Sequence, residues 1–150
     1  IFNKQYFDYC MSIAQKLNLS HRILYKGFVR GQKRIDAYGS SQLFVLPSFT
    51  ENFGMAIAEA LLAGIPVIAS TGTPWSEISE QNAGWVVDPN LDSVQSALKD
   101  ALNKSSDELK AKGKNGIEIA KGYSSTVEAK KMYDLYAWSL GKGFRPDFVY

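Results

Sequence analysis

Short runs of apolar residues alternate with amphipathic stretches along the chain as far as about residue 87. In the amphipathic stretches the apolar positions recur every three or four residues, which is typical of helices with one buried face. The apolar runs are short and suit strands; the run at 43–46, stopped by a proline, favours a strand buried on both faces. In chain order, the predicted elements are helix 2–18, strand 23–25, helix 32–38, strand 43–46, helix 55–63, strand 66–69, helix 75–81 and strand 85–87. This alternation indicates an open, mostly parallel α/β sheet with helices on both faces.

Beyond residue 90 the pattern is purely helical. Ser105 with Glu108, and Ser125 with Glu128, have the spacing of capping boxes, and each pair predicts the start of a further helix. The last helix carries one continuous apolar and aromatic face, which favours packing over a cofactor site. That face consists of Ala129, Met132, Tyr133, Tyr136, Ala137 and Leu140.

The composition excludes several classes of function. The chain has 150 residues, of which 45% are hydrophobic and 21% charged, which is typical of one globular domain. A net charge of +2 gives no argument for binding nucleic acid or an anionic membrane. One cysteine, Cys10, excludes an internal disulfide and a multi-cysteine zinc site, and one histidine, His21, leaves no histidine pair for a metal. We interpret Cys10 as a small core residue and His21 as a solvated one, and we expect a reducing, cytoplasmic setting.

The segment after the 43–46 strand carries the candidate chemistry. Its loop is expected at the carboxyl edge of the sheet, where doubly wound folds bind ligands. Gly54 stands at the start of the next predicted helix. The backbone amides of Phe53, Gly54 and Met55 would have no partners within that helix and would form an anion site suited to phosphate.

Two carboxylates flank this predicted anion site. Glu51 precedes the helix, and Glu59 lies within it, roughly 7–8 Å along its axis, with a side chain that leans back toward the helix start. A carboxylate can accept two hydrogen bonds from a vicinal diol such as ribose. The pattern therefore indicates a site for a phosphate between two hydroxylated rings. The competing interpretation is that Glu51 is a solvated residue favoured by the helix dipole and Glu59 a surface residue.

A set of short motifs follows in order between residues 43 and 89. They are Pro47-Ser48, Glu51, Phe53-Gly54, Glu59-Ala60, Gly64-x-Pro66-Val67, Glu77 and the run Gly-Trp-Val-Val-Asp-Pro at 84–89. In order and spacing this set resembles the C-terminal, donor-binding domain of the family four retaining glycosyltransferases, which have the two-domain GT-B fold. The E-x7-E motif of that family corresponds to Glu51 and Glu59. Asn52 stands where the family usually has glycine, and asparagine also tolerates unusual backbone angles.

The resemblance implies a fold and a domain organisation. The fold would be a partial doubly wound, Rossmann-like, mostly parallel sheet followed by C-terminal helices. Residues 1–123 would form a partial nucleotide-sugar-binding domain. Residues 124–150 would be a C-terminal helix and tail, and either its aromatic face crosses to an acceptor domain or it packs within its own domain.

The resemblance also implies roles for individual residues. Glu51 would contact the sugar near the reacting carbon, and we favour a role in orienting and stabilising it over nucleophilic attack. Glu59 would hold the ribose hydroxyls, and the amides of Phe53, Gly54 and Met55 would face the phosphate and the sugar. The other donor-binding candidates are Ser48 and Asn52 in the same loop, and Phe28 and Val29, whose segment resembles the loop beside the nucleobase.

The function implied is that of a retaining hexosyltransferase in polysaccharide biosynthesis. It would move a sugar from a nucleotide-diphosphate sugar to a glycan or lipid-linked acceptor, with no metal, no other cofactor and no nucleic-acid partner. The location would be the cytoplasm or the inner face of a membrane, with any membrane contact made by an acceptor domain outside this chain. Two alternatives stay open on the same fold: a non-catalytic module that binds a nucleotide or sugar phosphate, and a nucleotide-sugar epimerase.

The family also places an arginine and a lysine that neutralise the diphosphate upstream of everything in this sequence. We therefore expect the chain to begin inside the donor domain, after its first two strands. Such a fragment would be marginally stable, because strand edges would be exposed, and it would be inactive by itself. A hydrolase is disfavoured because Ser48 and Ser70 lack a nucleophile elbow, and no GxGxxG or P-loop motif is present.

Overall fold

The computed structural model describes residues 3–149. They form two compact units, of which the first ends at Ile35 and the second begins at Asp36. In chain order the elements are α1 (Lys4–Lys16), a 3-10 turn (Ser20–Arg22), α2 (Gln32–Gly39), β1 (Phe44–Leu46), α3 (Met55–Leu62), β2 (Val67–Ser70), α4 (Glu77–Glu80), β3 (Gly84–Val87), α5 (Leu91–Asn103), α6 (Ser106–Lys121) and α7 (Ser125–Ser139). The order of helices and strands follows the prediction except at one strand, 23–25.

The first unit contains α1 and the segment that follows it. Asn3 caps α1 by accepting a hydrogen bond from the amide of Tyr6 at 3.0 Å. Among the residues of α1, all of which are described, Ala14 alone is buried. Cys10 is exposed, so its interpretation as a core residue is wrong. The periodicity of α1 predicts one broad buried face, but in this small unit only the part of that face around Ala14 is covered.

The strand predicted at residues 23–25 is not formed, and this prediction is wrong for the part of the chain that the structure describes. A strand needs a hydrogen-bonded neighbour, and no strand within 3–149 pairs with this segment. The apolar side chains stay largely in solvent, with Leu24 77% exposed. Tyr25 packs its ring against Phe7, with 4.7 Å between the ring centroids.

The second unit is built on a three-stranded parallel sheet in the order β1-β2-β3. All four residues of β2 are buried, as expected of a central strand. By contrast, β1 pairs on one side only among the described strands, and its Val45 is 36% exposed. The expectation that the 43–46 run is buried on both faces is therefore wrong: Phe44 and Leu46 pack against the main core, whereas Val45, on the other face, is partly exposed.

Helices cover both faces of the sheet. Val67 and Ala69 of β2 pack in the main core, with residues of α3, α4 and α6. Ile68, which points to the opposite face, packs against Ala97 and Ala101 of α5. The predicted α/β class, with helices on both sides of a parallel sheet, is confirmed.

The starts of the C-terminal helices agree with the prediction at one position and differ at the other. Ser105 and Glu108 form the predicted capping box at the start of α6. The cap of α7 is Ser124, whose side chain accepts a hydrogen bond from the amide of Val127, so the box predicted at Ser125 is wrong by one residue. The apolar face of α7 is largely exposed, with Tyr133 72% accessible. Whether this face contacts an acceptor domain stays a prediction. No helix between residues 3 and 149 has the length and apolar composition needed to cross a bilayer.

Candidate functional site

The chain turns from β1 into α3 through a loop that ends at Gly54. This residue has φ +79°, in the left-handed region that favours glycine. A Cβ here would lie 3.2 Å from Cδ1 of Ile57 and 3.3 Å from Nε1 of Trp75. Gly54 is itself buried, whereas Asn52, two residues before it, and Met55, directly after it, are exposed. The helix start is therefore packed against the core through Gly54, with exposed residues on either side of it in the chain.

Aromatic side chains anchor this loop. The indole N–H of Trp75 donates a hydrogen bond to the backbone carbonyl of Phe53. The rings of Phe53, Trp75 and Tyr123 form a mutual cluster, with centroid separations of 5.1, 5.7 and 5.0 Å. Trp75 is 1% exposed, so the carbonyl of Phe53 is held against a fixed group. This aromatic cluster positions the residues that lead into α3.

A carboxylate partner completes the aromatic cluster. The hydroxyl of Tyr123 donates to Oε2 of Glu77 at 2.6 Å. That hydrogen bond, together with partial burial and the negative charge of Glu77, raises the pKa of Tyr123 to about 12. Glu77, one of the motif residues, thus joins α4 to the turn after α6. Sequence reasoning missed Trp75 and Tyr123, because nothing local to either residue indicates that it packs on the loop.

Glu51 is held at both its side chain and its backbone. The hydroxyl of Ser48 donates to Oε1 of Glu51 at 3.0 Å, and the amide of Glu51 donates to the carbonyl of Gly72 at 2.9 Å. Ser70 donates its hydroxyl to the carbonyl of Ser48. A Cβ on Gly72 would stand 2.2 Å from the carbonyl oxygen of Phe49. The loop after β1 therefore lies directly on the loop after β2, and Ser70 and Gly72 are positioning residues that sequence reasoning missed.

Glu59 is half-buried on the first turns of α3. The hydroxyl of Tyr38 lies 3.1 Å from its Oε2 and 3.3 Å from the carbonyl oxygen of Ala56. The interpretation of Glu59 as a plain surface residue does not fit this partly buried, hydrogen-bonded carboxylate. Each of the two predicted glutamates thus accepts a hydrogen bond from a hydroxyl group.

The remaining predicted site residues have different surroundings. Phe28 and Val29 lie in the first unit, before α2. Phe28 is 82% exposed, and the guanidinium of Arg30 stacks 4.6 Å from its ring centroid. Their role beside a nucleobase stays a prediction. His21 is exposed, as predicted.

The structure also contains features away from this loop. A cavity of about 590 Å³ lies between β3 and α5, and its lining includes Trp85 and Asp100 but none of the predicted site residues. The indole N–H of Trp85 donates to Asp100 at 2.8 Å, and this bond, aided by Lys104, lowers the pKa of Asp100. No cluster of three or more metal-ligating side chains is found within residues 3–149.

Curated proteins with similar sequences are glycosyltransferases by name. An uncharacterized glycosyltransferase of Methanocaldococcus jannaschii is 36% identical over 89 residues, which are 58% of this chain and 23% of the relative. The alpha-1,3/1,6-mannosyltransferase alg-2 of Neurospora crassa is 34% identical over 100 residues, which are 64% of this chain and 21% of the relative. The chain thus spans less than a quarter of the length of these two relatives.

Solved structures support the same fold. Sucrose-phosphate synthase from Thermosynechococcus elongatus superimposes with a TM-score of 0.74 at 26% identity, over 88% of this chain and 34% of that one. WaaG, a glycosyltransferase involved in lipopolysaccharide biosynthesis, superimposes with a TM-score of 0.64 at 22% identity, over 79% of this chain and 31% of WaaG. At this identity the likeness supports the fold only. The model of the glycosyl transferases group 1 family matches residues 3–118, which is more than half of the chain. By this match, together with the parallel α/β fold, the chain belongs to the glycosyl transferases group 1 family.

Proposed function

We propose that this chain carries part of the donor site of a retaining hexosyltransferase. The enzyme moves a sugar from a nucleotide-diphosphate sugar to a glycan or lipid-linked acceptor. One observation carries the proposal: Glu51 and Glu59 flank the start of α3, and each is fixed by a hydroxyl group, from Ser48 and Tyr38. A polysaccharide product and a cytoplasmic site of action, facing a membrane through an acceptor domain, belong to the same proposal.

The start of α3 supplies the phosphate-binding part of the donor site. The first amides of a helix have no acceptor within it, and the helix dipole favours an anion there. In α3 the carbonyl of Gly54 already accepts from the amides of Ile57 and Ala58, at 2.8 and 3.3 Å. The amides of Gly54 and Met55 stand before that first hydrogen bond, and they face the donor's phosphate in this proposal.

The two carboxylates bind opposite ends of the donor. Glu59, inside α3, accepts hydrogen bonds from the vicinal hydroxyls of ribose. Glu51, in the loop before α3, accepts hydrogen bonds from the sugar near its anomeric carbon. As the bond to the diphosphate breaks, positive charge develops at that carbon, and the negative charge of Glu51 stabilises it. Ser48 holds Glu51 in place, so little reorganisation accompanies this step.

No metal or further cofactor takes part in this proposal. In this proposal the leaving diphosphate is stabilised by the α3 amides. Asn52, exposed two residues before Gly54, is a further proposed donor contact in this unit. The retained configuration at the anomeric carbon follows from the family resemblance.

The decisive experiment uses the full-length protein that carries this chain, with UDP-, GDP- and ADP-sugars as donors. We expect transfer with at least one donor and a product that keeps the anomeric configuration. Glu51→Gln keeps the size of the side chain but removes its charge, and it should lower kcat by roughly 10²–10³-fold while KM for the donor changes little. The control is Glu80→Gln, an exposed glutamate on α4, which should leave kcat unchanged.

Three results would contradict this proposal. An inverted product would refute retention, and full activity of Glu51→Gln would refute the role of Glu51. Donor binding without turnover in the full-length protein would establish the non-catalytic binding module instead.

A further inference from the structure

Tyr38 lies near the end of α2, in the second unit, and contacts the candidate site from outside the loop and α3. Its hydroxyl is 3.1 Å from Oε2 of Glu59 and 3.3 Å from the carbonyl oxygen of Ala56. Its ring packs beside Phe44, the first residue of β1, with 6.0 Å between the centroids. The side chain is half-buried and packs against the main core. Nothing in the local sequence around Tyr38 indicates a role for it.

The chemistry of the hydroxyl decides which acceptor it favours. A phenol has one proton to donate, and a hydrogen bond to an ionised acceptor is stronger than one to a neutral carbonyl. Glu59 is both the nearer and the charged acceptor. The carbonyl of Ala56, one turn before Glu59, lies close enough to share the proton. Tyr38 therefore links the carboxylate of Glu59 to the first turn of α3.

We propose that Tyr38 is a positioning residue that holds Glu59 in the orientation needed to bind ribose. This inference rests on the proposed function, since it assumes that Glu59 contacts the ribose hydroxyls. A glutamate side chain has several rotatable bonds, and fixing them before the ligand arrives lowers the entropy cost of binding. The ring of Tyr38 is fixed by packing beside Phe44 and against the core, and its hydroxyl in turn fixes the carboxylate of Glu59 through the hydrogen bond.

The test compares nucleotides that differ only in the ribose hydroxyls. UDP, GDP and ADP, each with its 2′,3′-dideoxy counterpart, are titrated calorimetrically into the full-length protein. Tyr38→Phe removes the hydroxyl and keeps the ring that packs beside Phe44. We expect this variant to bind the preferred ribonucleotide about 5–10-fold more weakly, whereas its affinity for the dideoxy compound changes less than about twofold.

Tyr123→Phe is the matched control. It removes another tyrosine hydroxyl that donates to a glutamate, in this case Glu77 at 2.6 Å. That glutamate has no proposed contact with ribose, so the ratio of ribonucleotide to dideoxy affinity should stay at the wild-type value. Glu59→Gln should lower the ratio at least as far as Tyr38→Phe does. In the double variant, Tyr38→Phe should add little to the effect of Glu59→Gln.

The outcomes separate the inference from the proposed function. Suppose that Glu59→Gln lowers the ratio of ribonucleotide to dideoxy affinity, but Tyr38→Phe leaves this ratio unchanged or weakens the binding of both nucleotides equally. The positioning role of Tyr38 is then refuted, and the role of Glu59 stands. If the wild type does not discriminate between the two nucleotides, the ribose contact itself is refuted, and the positioning role with it. Should Tyr38→Phe fail to fold, Glu59→Asp retains the charge but withdraws the carboxylate from Tyr38; an unchanged ratio in that variant also refutes the inference.

Discussion

The hydroxyl of Ser48 donates a hydrogen bond to Oε1 of Glu51 over 3.0 Å. The amide of the same glutamate donates to the carbonyl of Gly72 at 2.9 Å, so both its side chain and its backbone are fixed. These contacts join the loop after β1 to the loop after β2, at the edge of the sheet where parallel α/β folds bind ligands. The geometry around Glu51 therefore depends on two separate segments.

Ser48→Ala is expected to reduce transfer through its effect on Glu51. Hydrogen bonds to charged groups contribute about 1.5–3 kcal/mol, so the loss of this one should lower kcat by roughly tenfold or more. KM for the donor should change less than kcat, because Glu51 acts mainly as charge develops. Steady-state kinetics of the full-length protein measure both values. Ser48→Thr keeps a hydroxyl and should retain most of the activity. If Ser48→Thr were as impaired as Ser48→Ala, that result would contradict this explanation.

Gly54→Ala should destabilise the fold. At φ +79° an alanine is strained, and its Cβ would be 3.2 Å from Ile57 and 3.3 Å from Trp75. We expect the free energy of unfolding to fall by about 1–3 kcal/mol, measured by urea denaturation. Gly39→Ala is the control, because a Cβ there has no atom within 4 Å, and it should have no destabilising effect. Equal stability of the two variants would argue against strain at Gly54.

Gly72→Ala should impair donor use more than it impairs folding. Its Cβ would overlap the carbonyl oxygen of Phe49 at 2.2 Å, so the loop carrying Glu51 must move away. The hydrogen bond from the amide of Glu51 would be lost or lengthened with it. We expect kcat/KM for the donor to fall more than roughly tenfold, since small displacements of positioned groups are costly. A normal kcat/KM in this variant would show that the contact between the two loops is dispensable.

The hydrogen bond between Tyr123 and Glu77 should make stability depend on alkaline pH. Because the pKa of Tyr123 is about 12 in the folded chain, against an ordinary value of 10.0, the bond contributes fully below pH 10. Its contribution is lost as the pH rises from 10 toward 12. Other tyrosines and lysines titrate in the same range, so the quantity to measure is the difference between wild type and Tyr123→Phe in free energy of unfolding. This difference should shrink above about pH 10; a constant difference would contradict the prediction.

Local sequence patterns predicted most of the secondary structure. The helix from Met55 and the capping box of Ser105 were predicted at or near their observed positions, because each depends on residues close together in the chain. The three parallel strands also lie at or near their predicted positions, because each of these apolar runs pairs with a neighbouring strand. The predicted strand at 23–25 failed for the opposite reason, since a strand forms only when a neighbour supplies hydrogen bonds. The exposure of Cys10 likewise depends on what covers α1 and not on its periodicity.

For the candidate site, the sequence by itself determined which residues stand at the start of α3: the two glutamates at their spacing and the glycine between them. These are properties of one continuous segment, so the spacing alone specified them. Only the tertiary structure decided which residues hold these groups. Tyr38 donates a hydrogen bond to Glu59, the carbonyl of Gly72 accepts one from the amide of Glu51, and Trp75 donates one to the carbonyl of Phe53. These partners lie far from the residues they hold along the chain, and packing of helices and loops around the parallel sheet brings them together.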